Sequence, residues 1–415
     1  MVATLRMLSD AAWKASVVPE RSSALFGDLY AIPSKNGLMA PSRVRGSGVA
    51  LINMREVFAY DRIGDAPMEL APLPERSSAD WLVESGDLLF ARQSLTFAGA
   101  GKCVLVESAD RPRTFESHII RVRLDEEVAY SPFFFYYFKS SFGRTNIEGI
   151  VEQVAAAGIR ASDLAKLLVP LPPLAEQREI TATLVVLDDK IESNRRAQEV
   201  GQRLLRALVD SALHDDSRGR ARLDEYCDLV KDSVSVDEFR PYDNYIALEH
   251  MPRGSIFLGD WSVVEGIGSN KSRFQSGDVL FGKLRPYFKK VGVAPVGGVC
   301  STDILVLRPK FDFDRALVAV VASSEALINS LSAAATGTRM PRASWSDLAA
   351  WPLPSLSTAE REHLGEKTSP LLERLTLLTY ESKKLTALRD ALLPQLLSGR
   401  WTVSSATAEA VGVAV

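Results

Sequence analysis

The sequence predicts an α+β fold made by tandem duplication, with two mixed α/β domains that are each followed by one long helix. Three observations predict it. Residues 170–213 (PLPPLAEQREITATLVVLDDKIESNRRAQEVGQRLLRALVDSAL) carry a helical apolar rhythm, and residues 352–398 repeat it in degenerate form. The segment SGDLLFARQ at 85–93 recurs as SGDVLFGKL at 276–284. A chain of 415 residues has room for two or more domains.

Taken in order, residues 1–20 show little pattern beyond a short amphipathic piece, Leu5–Ala15. Within the first domain, set at 1–169, Gly48–Ile52, Cys103–Val106 and His118–Leu124 read as strands bounded by Gly, Pro and Ser. The aromatic run Pro132–Phe142 reads as one short buried helix whose rings are core. The first long helix is set at 170–214, with the polar linker HDDSRGRA at 214–221 at its end. In the second domain, 215–351, Leu223–Val230 opens the half as Ala24–Ala31 opens the first. AAAGIRASDLAKLLVPLPP at 155–173 returns loosely as ATGTRMPRASWSDLAAWPLPS at 335–355. The second long helix is set at 352–400, and 401–415 is a small-residue tail.

Pro170, Pro172 and Pro173 force an extended approach to the first helix, because proline fixes φ and disfavours helix in the residue before it. Apolar positions then step by four and three through Ile180, Leu184, Leu187 and Ile191, the seam spacing of a coiled coil. From Leu174 to Leu213 a continuous helix would be roughly 60 Å long. The same steps run on through Asn194, Gln198 and Gly201 to Leu205, Leu208 and Ala212. Two readings of that polar middle stand. Asn194 and Gln198 are buried and set register, or the stripe drifts to Ala197, Val200 and Leu204 and leaves them wet. The drifted stripe is the expectation. With a shift of 184, AEQREI at 175–180 meets AEREHL at 359–364, and Leu187, Ile191, Leu204 and Leu208 meet Leu371, Leu375, Leu388 and Leu392. With Gln177 and Leu378, these give the seam or partner-docking candidates: Gln177, Ile180, Leu184, Leu187, Ile191, Leu371, Leu375, Leu378, Leu388 and Leu392. Two helices with matched seams would most simply pack on each other.

Composition is ordinary, 46% hydrophobic and 24% charged, with net charge −3. That balance argues against indiscriminate nucleic-acid binding but leaves local patches open. Cys103, Cys227 and Cys300 are odd in number and far apart, so buried free thiols are expected. No apolar run approaches the 18 or so residues of a membrane span, and the start lacks a secretory pattern, so a cytoplasmic location is expected. Catalytic motifs are missing. TFAGAGKC at 96–103 has Thr96 where a phosphate loop has its first glycine and Cys103 where it has Ser or Thr. The four histidines lack metal spacing, and neither GxSxG nor an amino-methyltransferase N-P-P-[YF] tetrapeptide is present. No catalytic residue, metal or cofactor is therefore assigned to this chain.

Local basic character remains. KSRFQSGDVLFGKLRPYFKK at 271–290 holds Lys271, Arg273, Lys283, Arg285, Lys289 and Lys290 around Tyr287. Cations near phosphate release counterions, and a guanidinium fork reads guanine. The matching loop of the first half offers Arg92, Gln93 and Lys102. Lys35, Asn36 and Arg43 lie in another polar stretch, and Arg339 in TGTRMPR completes the DNA-binding candidates. The bland alternative is a set of solvated strand and loop faces.

PLPPLAEQREI leading into a long helix, its second copy, GDLLF and GDVLF at the same place in both halves, and the closing LLPQLLSGR together resemble the specificity subunits of type I restriction-modification enzymes. The resemblance implies two tandem target-recognition domains separated by two long antiparallel coiled-coil helices. Each domain would read one half of a bipartite double-stranded DNA target, with no catalysis in this chain. It further implies docking of methyltransferase subunits, two of them, which bring S-adenosylmethionine and methylate adenine. Restriction/translocase subunits using ATP and magnesium would join for cleavage; no membrane is involved. The second copy departs from the pattern, with Ser357, Thr358 and Arg361 where the first has Pro173, Leu174 and Gln177. Pro370, inside the second helix, is expected to kink or split it. The competing reading is a coiled-coil protein–protein adaptor without DNA specificity.

Overall fold

The computed structural model describes residues 22–74, 78–153, 156–214, 218–240, 243–266, 268–334 and 341–400. Leu5–Ala15, Arg339 and the tail from 401 lie outside the described residues. The chain forms two compact units, one running to Leu187 and resuming at Leu388, the other Asp188–Ala387.

Unit 1 contains α1 (Met54–Ala59), α2 (Ser131–Lys139), α3 (Ser141–Glu148) and α4 (Ala161–Ala165), and shares α5 (Leu174–Ala212) with unit 2. Its five-stranded sheet runs Tyr30–Asn36, Ile119–Leu124, Leu88–Ala91, Cys103–Val106, Arg62–Ile63. A second sheet pairs Val49–Ile52 in parallel with Arg113–Phe115. Unit 2 contains α6 (Arg315–Ala322), α7 (Glu325–Ala334), α8 (Trp345–Ala349) and the first part of α9 (Thr358–Leu397). There Val279–Gly282 lies between Val291–Val293 and Ile304–Pro309, as Leu88–Ala91 lies between Cys103–Val106 and Ile119–Leu124. Asn244–Ile246 runs parallel to Gly298–Cys300, matching the parallel pair of unit 1. The two units share one plan.

The repeated Gly-Asp segment is the reason. Gly86 and Gly277 turn the chain at φ 93° and 90°, where a side chain is strained. Asp87 and Asp278 are buried and accept the backbone N–H of the residue three positions earlier, Glu84 at 2.8 Å and Gln275 at 2.7 Å. Each carboxylate then receives a two-pronged arginine from the neighbouring strand, Arg123 at 2.7 and 2.8 Å, Arg308 at 2.9 and 2.8 Å. The strands that follow are buried on both faces, which suits their unbroken apolar run. Leu88 and Phe90 enter one core and Leu89 the other.

The aromatic run is core, as expected, with Phe133–Phe138 buried. It is not one helix. Ser140 leaves helical geometry at φ −71°, ψ 161°, and its hydroxyl caps α3 by accepting the Gly143 N–H at 3.2 Å. Phe142 therefore belongs to α3.

Within unit 1, Ile180, Leu184 and Leu187 of α5 share a core with Leu388, Leu392, Leu393, Leu396 and Leu397 of α9. Within unit 2, Leu205, Leu208 and Val209 join Leu364, Leu371, Leu372, Leu375 and Leu378. Early α5 meets late α9 and late α5 meets early α9, so the pairing is antiparallel. The drifted stripe is overturned. Val200 and Leu204 are 57% and 49% exposed, whereas Asn194 is buried. Asn194 Nδ2 donates to Glu381 at 2.9 Å and Ser382 at 3.3 Å, and Gln198 Nε2 to the Leu375 carbonyl at 3.0 Å. Polar partners across the pair hold the stripe in place. Gly201 is the seam residue facing Leu375, whose Cδ1 would stand 2.4 Å from an added Cβ. The helix is not split at Pro370, since α9 is helical throughout. Pro370 is on the exposed face, where water can satisfy the Glu366 carbonyl that lacks its partner.

Gln177 is not a seam residue. Buried at the first turn of α5, its Oε1 accepts the Tyr130 N–H at 2.8 Å, and its Nε2 donates to the carbonyls of Val128 (3.1 Å) and Pro172 (2.8 Å). It fastens α5 to the start of α2. Ile191 is half-buried.

Candidate nucleic-acid interface

The loops that follow the Gly-Asp strands are the natural place to look, because the strands beneath them are fixed and the loops are free to differ. In unit 1 the loop runs from Arg92 to Lys102. Gln93 and Ser94 pair with Ala157–Gly158. Ser94 Oγ accepts the Thr96 N–H at 3.1 Å, and Thr96 Oγ1 accepts that of Gly99 at 3.2 Å. Arg144 donates to the carbonyls of Ala100 at 2.7 Å and Phe97 at 3.1 Å. This is a braced turn and not a phosphate cradle. Lys102 points away from it, to the carbonyls of Phe58 (3.3 Å) and Tyr60 (3.4 Å) beside Asp61. Burial pushes the Asp61 carboxyl up, but Lys139 at 2.6 Å and Lys102 together hold it below its ordinary range. Gln93 is exposed, and Arg92 is half-buried with its guanidinium 3.5 Å from the Ser117 carbonyl.

In unit 2 the loop is Lys283–Lys290. Arg285 and Lys289 both stand at φ 51°, the left-handed region that L side chains avoid, at a cost of about 1–3 kcal/mol each. They flank a single turn, Pro286–Phe288. The Arg285 N–H donates to Pro341 at 2.9 Å, and the Lys289 carbonyl accepts from Gly254 at 3.1 Å. Tyr287 stays exposed and meets Phe288 edge-on at 4.7 Å; Arg253 lies 3.9 Å over the Phe288 ring.

The other candidates divide. Lys35 lies over the Trp81 ring at 3.8 Å, while Asn36 and Arg43 are exposed near it in sequence. Arg273 is 3.7 Å from Asp232, and Lys289 pairs with Glu325. Lys271 is buried, its ammonium donating to Ser269 and Asn270, and Lys290 donates to the Leu248 carbonyl. Burial lowers the pKa of both lysines. Lys271, Lys290 and Lys102 thus spend their charge on their own fold.

Sequence reasoning passed over an open pocket in unit 1 formed by Arg45, Asn53, Arg55, Glu69, Glu116 and His118, in which His118 Nδ1 stands 2.8 Å from Glu116. It also passed over Leu95, which nothing in its loop sequence, shared with Phe97, Ala98 and Ala100, marks as exposed. The three cysteines are free and buried, and burial pushes the thiols of Cys227 and Cys300 up to about 12. Among the described residues no single helix is long and apolar enough to cross a membrane.

Residues 68–201 match the family model of the type I restriction modification DNA specificity domain. The EcoDI specificity subunit of a type I restriction enzyme from Escherichia coli is 23% identical over 152 residues, 36% of this chain and 34% of that protein. That match spans about a third of the relative's length. The crystal structure of a type-I restriction-modification S subunit from M. genitalium covers 91% of this chain and 96% of its own, with a TM-score of 0.56 at 15% identity. The HsdS subunit from Thermoanaerobacter tengcongensis covers 92% and 98%, at a TM-score of 0.36 and 18% identity. The chain thus resembles these specificity subunits in sequence over part of its length, and it shares the fold of the first of these structures.

Proposed function

We propose that this chain is the DNA-reading specificity subunit of a type I restriction-modification assembly and carries no catalysis itself. We take 1–169 and 215–351 as the two reading domains and the helices at 170–214 and 352–400 as the conserved parts between them. The observation that carries the reading is one scaffold built twice and finished with different loops. Equivalent Gly-Asp strands hold Arg92 and Gln93 at one loop and Lys283, Arg285 and Tyr287 at the other. Readers so related and so different suit a target in two unlike halves. Cations on these loops would hold phosphate, and the forked or amide side chains would read base edges.

Val200, Leu204 and Leu377 leave apolar surface open on the long helices of unit 2. This favours protein docking there, and we assign it to methyltransferase subunits, two of them, carrying S-adenosylmethionine. A restriction subunit using ATP and magnesium would join the same assembly. The experiment is selection from a genomic-fragment library by the chain purified with its co-purifying subunits. Enrichment of a split motif is expected, with affinity falling steeply as salt rises. A binder indifferent to sequence and salt would instead be a protein adaptor.

A further inference from the structure

The two Gly-Asp hairpins each end in a braced loop with exposed apolar or aromatic surface, Leu95 and the less open Phe97 in one and Tyr287 in the other. Leu95 is 99% exposed, between Ser94 and Thr96, whose hydroxyls tie the turn together, with Arg144 holding its far side. Tyr287 is 49% exposed between the left-handed Arg285 and Lys289, with Phe288 and Arg253 behind it. Both loops join equivalent antiparallel strands, Leu88–Ala91 to Cys103–Val106 and Val279–Gly282 to Val291–Val293. A leucine held open by a rigid turn gains nothing for the fold of its own unit. Neither does a tyrosine for which two residues accept strained backbone. The same loop in both copies of a duplicated scaffold therefore presents a side chain outward, to a ligand.

The flanking chemistry names the ligand class. Arg92 and Gln93 lie within three residues of Leu95 in the chain, and Lys283 and Arg285 within four of Tyr287. Cations that grip phosphate, around a side chain with no polar use except Tyr287's hydroxyl, fit a duplex whose base stack is entered. We infer that Leu95 and Tyr287 are wedges, each inserted at a base step of its own half-site and partly unstacking it. The inference rests on the DNA-reading proposal above and deepens it.

The test begins with the motif selected by the unaltered chain and its co-purifying subunits. 2-Aminopurine is then placed at successive steps of that duplex, and its fluorescence is read on binding. Brightening is expected at one step in each half. Leu95→Ala should abolish it in one half and Tyr287→Ala in the other, each with a loss of affinity of roughly tenfold. Tyr287→Phe should keep the signal, and Val128→Ala, at an exposed apolar residue elsewhere in unit 1, should change nothing. Brightening that survives both alanine variants, or affinity lost with no step ever brightening, overturns the wedge while leaving the DNA reader standing. A wild-type chain that enriches no motif sinks the DNA-reading proposal and this one with it.

Discussion

Arg361 closes a two-pronged ion pair with Asp314, and both side chains are almost wholly out of water. Asp314 precedes α6, and Arg361 sits in the first turn of α9 against the rings of Tyr226, Phe311 and Phe313. At the shift of 184 the counterparts are Tyr130 and Gln177, which meet through the Tyr130 backbone N–H. The joint is the same and its chemistry has been exchanged in a matched pair. The apparent departure of Arg361 from the first copy is thus explained by its partner.

Arg361→Gln should destabilise unit 2 strongly, by about 3 kcal/mol or more, because it strands a buried carboxylate. Asp314→Ala on top of it should recover part of that loss. Chemical denaturation of the two single variants and the double variant measures the coupling, expected at about 1–3 kcal/mol.

The Gly-Asp pairs should respond unequally. Arg123 also reaches Glu84, whereas the ion pair of Arg308 is with Asp278. Asp278→Asn should therefore cost more than Asp87→Asn, about 3 kcal/mol against about 2. Local hydrogen exchange should place each loss in its own unit.

Asn194 is a register device, as polar residues in coiled-coil seams are. Asn194→Ala should cost about 0.5–1.5 kcal/mol by removing its hydrogen bonds to Glu381, which keeps Lys190, and to Ser382. Asn194→Leu should cost less in thermal midpoint while broadening the unfolding transition. Differential scanning calorimetry of the two variants separates these outcomes.

Glu192 accepts from Arg195 and Arg196, and these hydrogen bonds lower its pKa to about 2. A carboxylate depressed on folding contributes stability that is full above its unfolded pKa, about 4.3. That contribution fades as pH falls from there toward 2. Glu192→Gln should make unfolding less steep in pH across that window, as read by acid titration of the far-ultraviolet circular dichroism.

Much of the scaffold was legible in the sequence because it rests on local signals. The duplication showed in SGDLLF and SGDVLF, and the long helices in their four-three spacing. What escaped depended on partners distant along the chain. Nothing near Asn194 announces Ser382, so the drifted stripe looked cheaper. The break at Ser140 turned on one hydroxyl cap inside an otherwise helical run. Pro370 was tolerated because it faces water. The site was less legible than the fold: Lys102, Lys271 and Lys290 read as free cations, yet each is held by carbonyls of its own unit. Leu95 is one of several apolar residues in its loop, and only the folded turn shows that it is open.

Unit 1 is discontinuous, since its core takes Leu392, Leu393, Leu396 and Leu397 from the far end of α9. A ribosome releases all of 188–387 before any of these leucines. The half that starts first must therefore wait with its core unfinished, Ile180 and Leu184 short of these partners, while its sibling completes, so the order of maturation reverses the order of synthesis. During that wait the unfinished first half is the segment most in need of a chaperone.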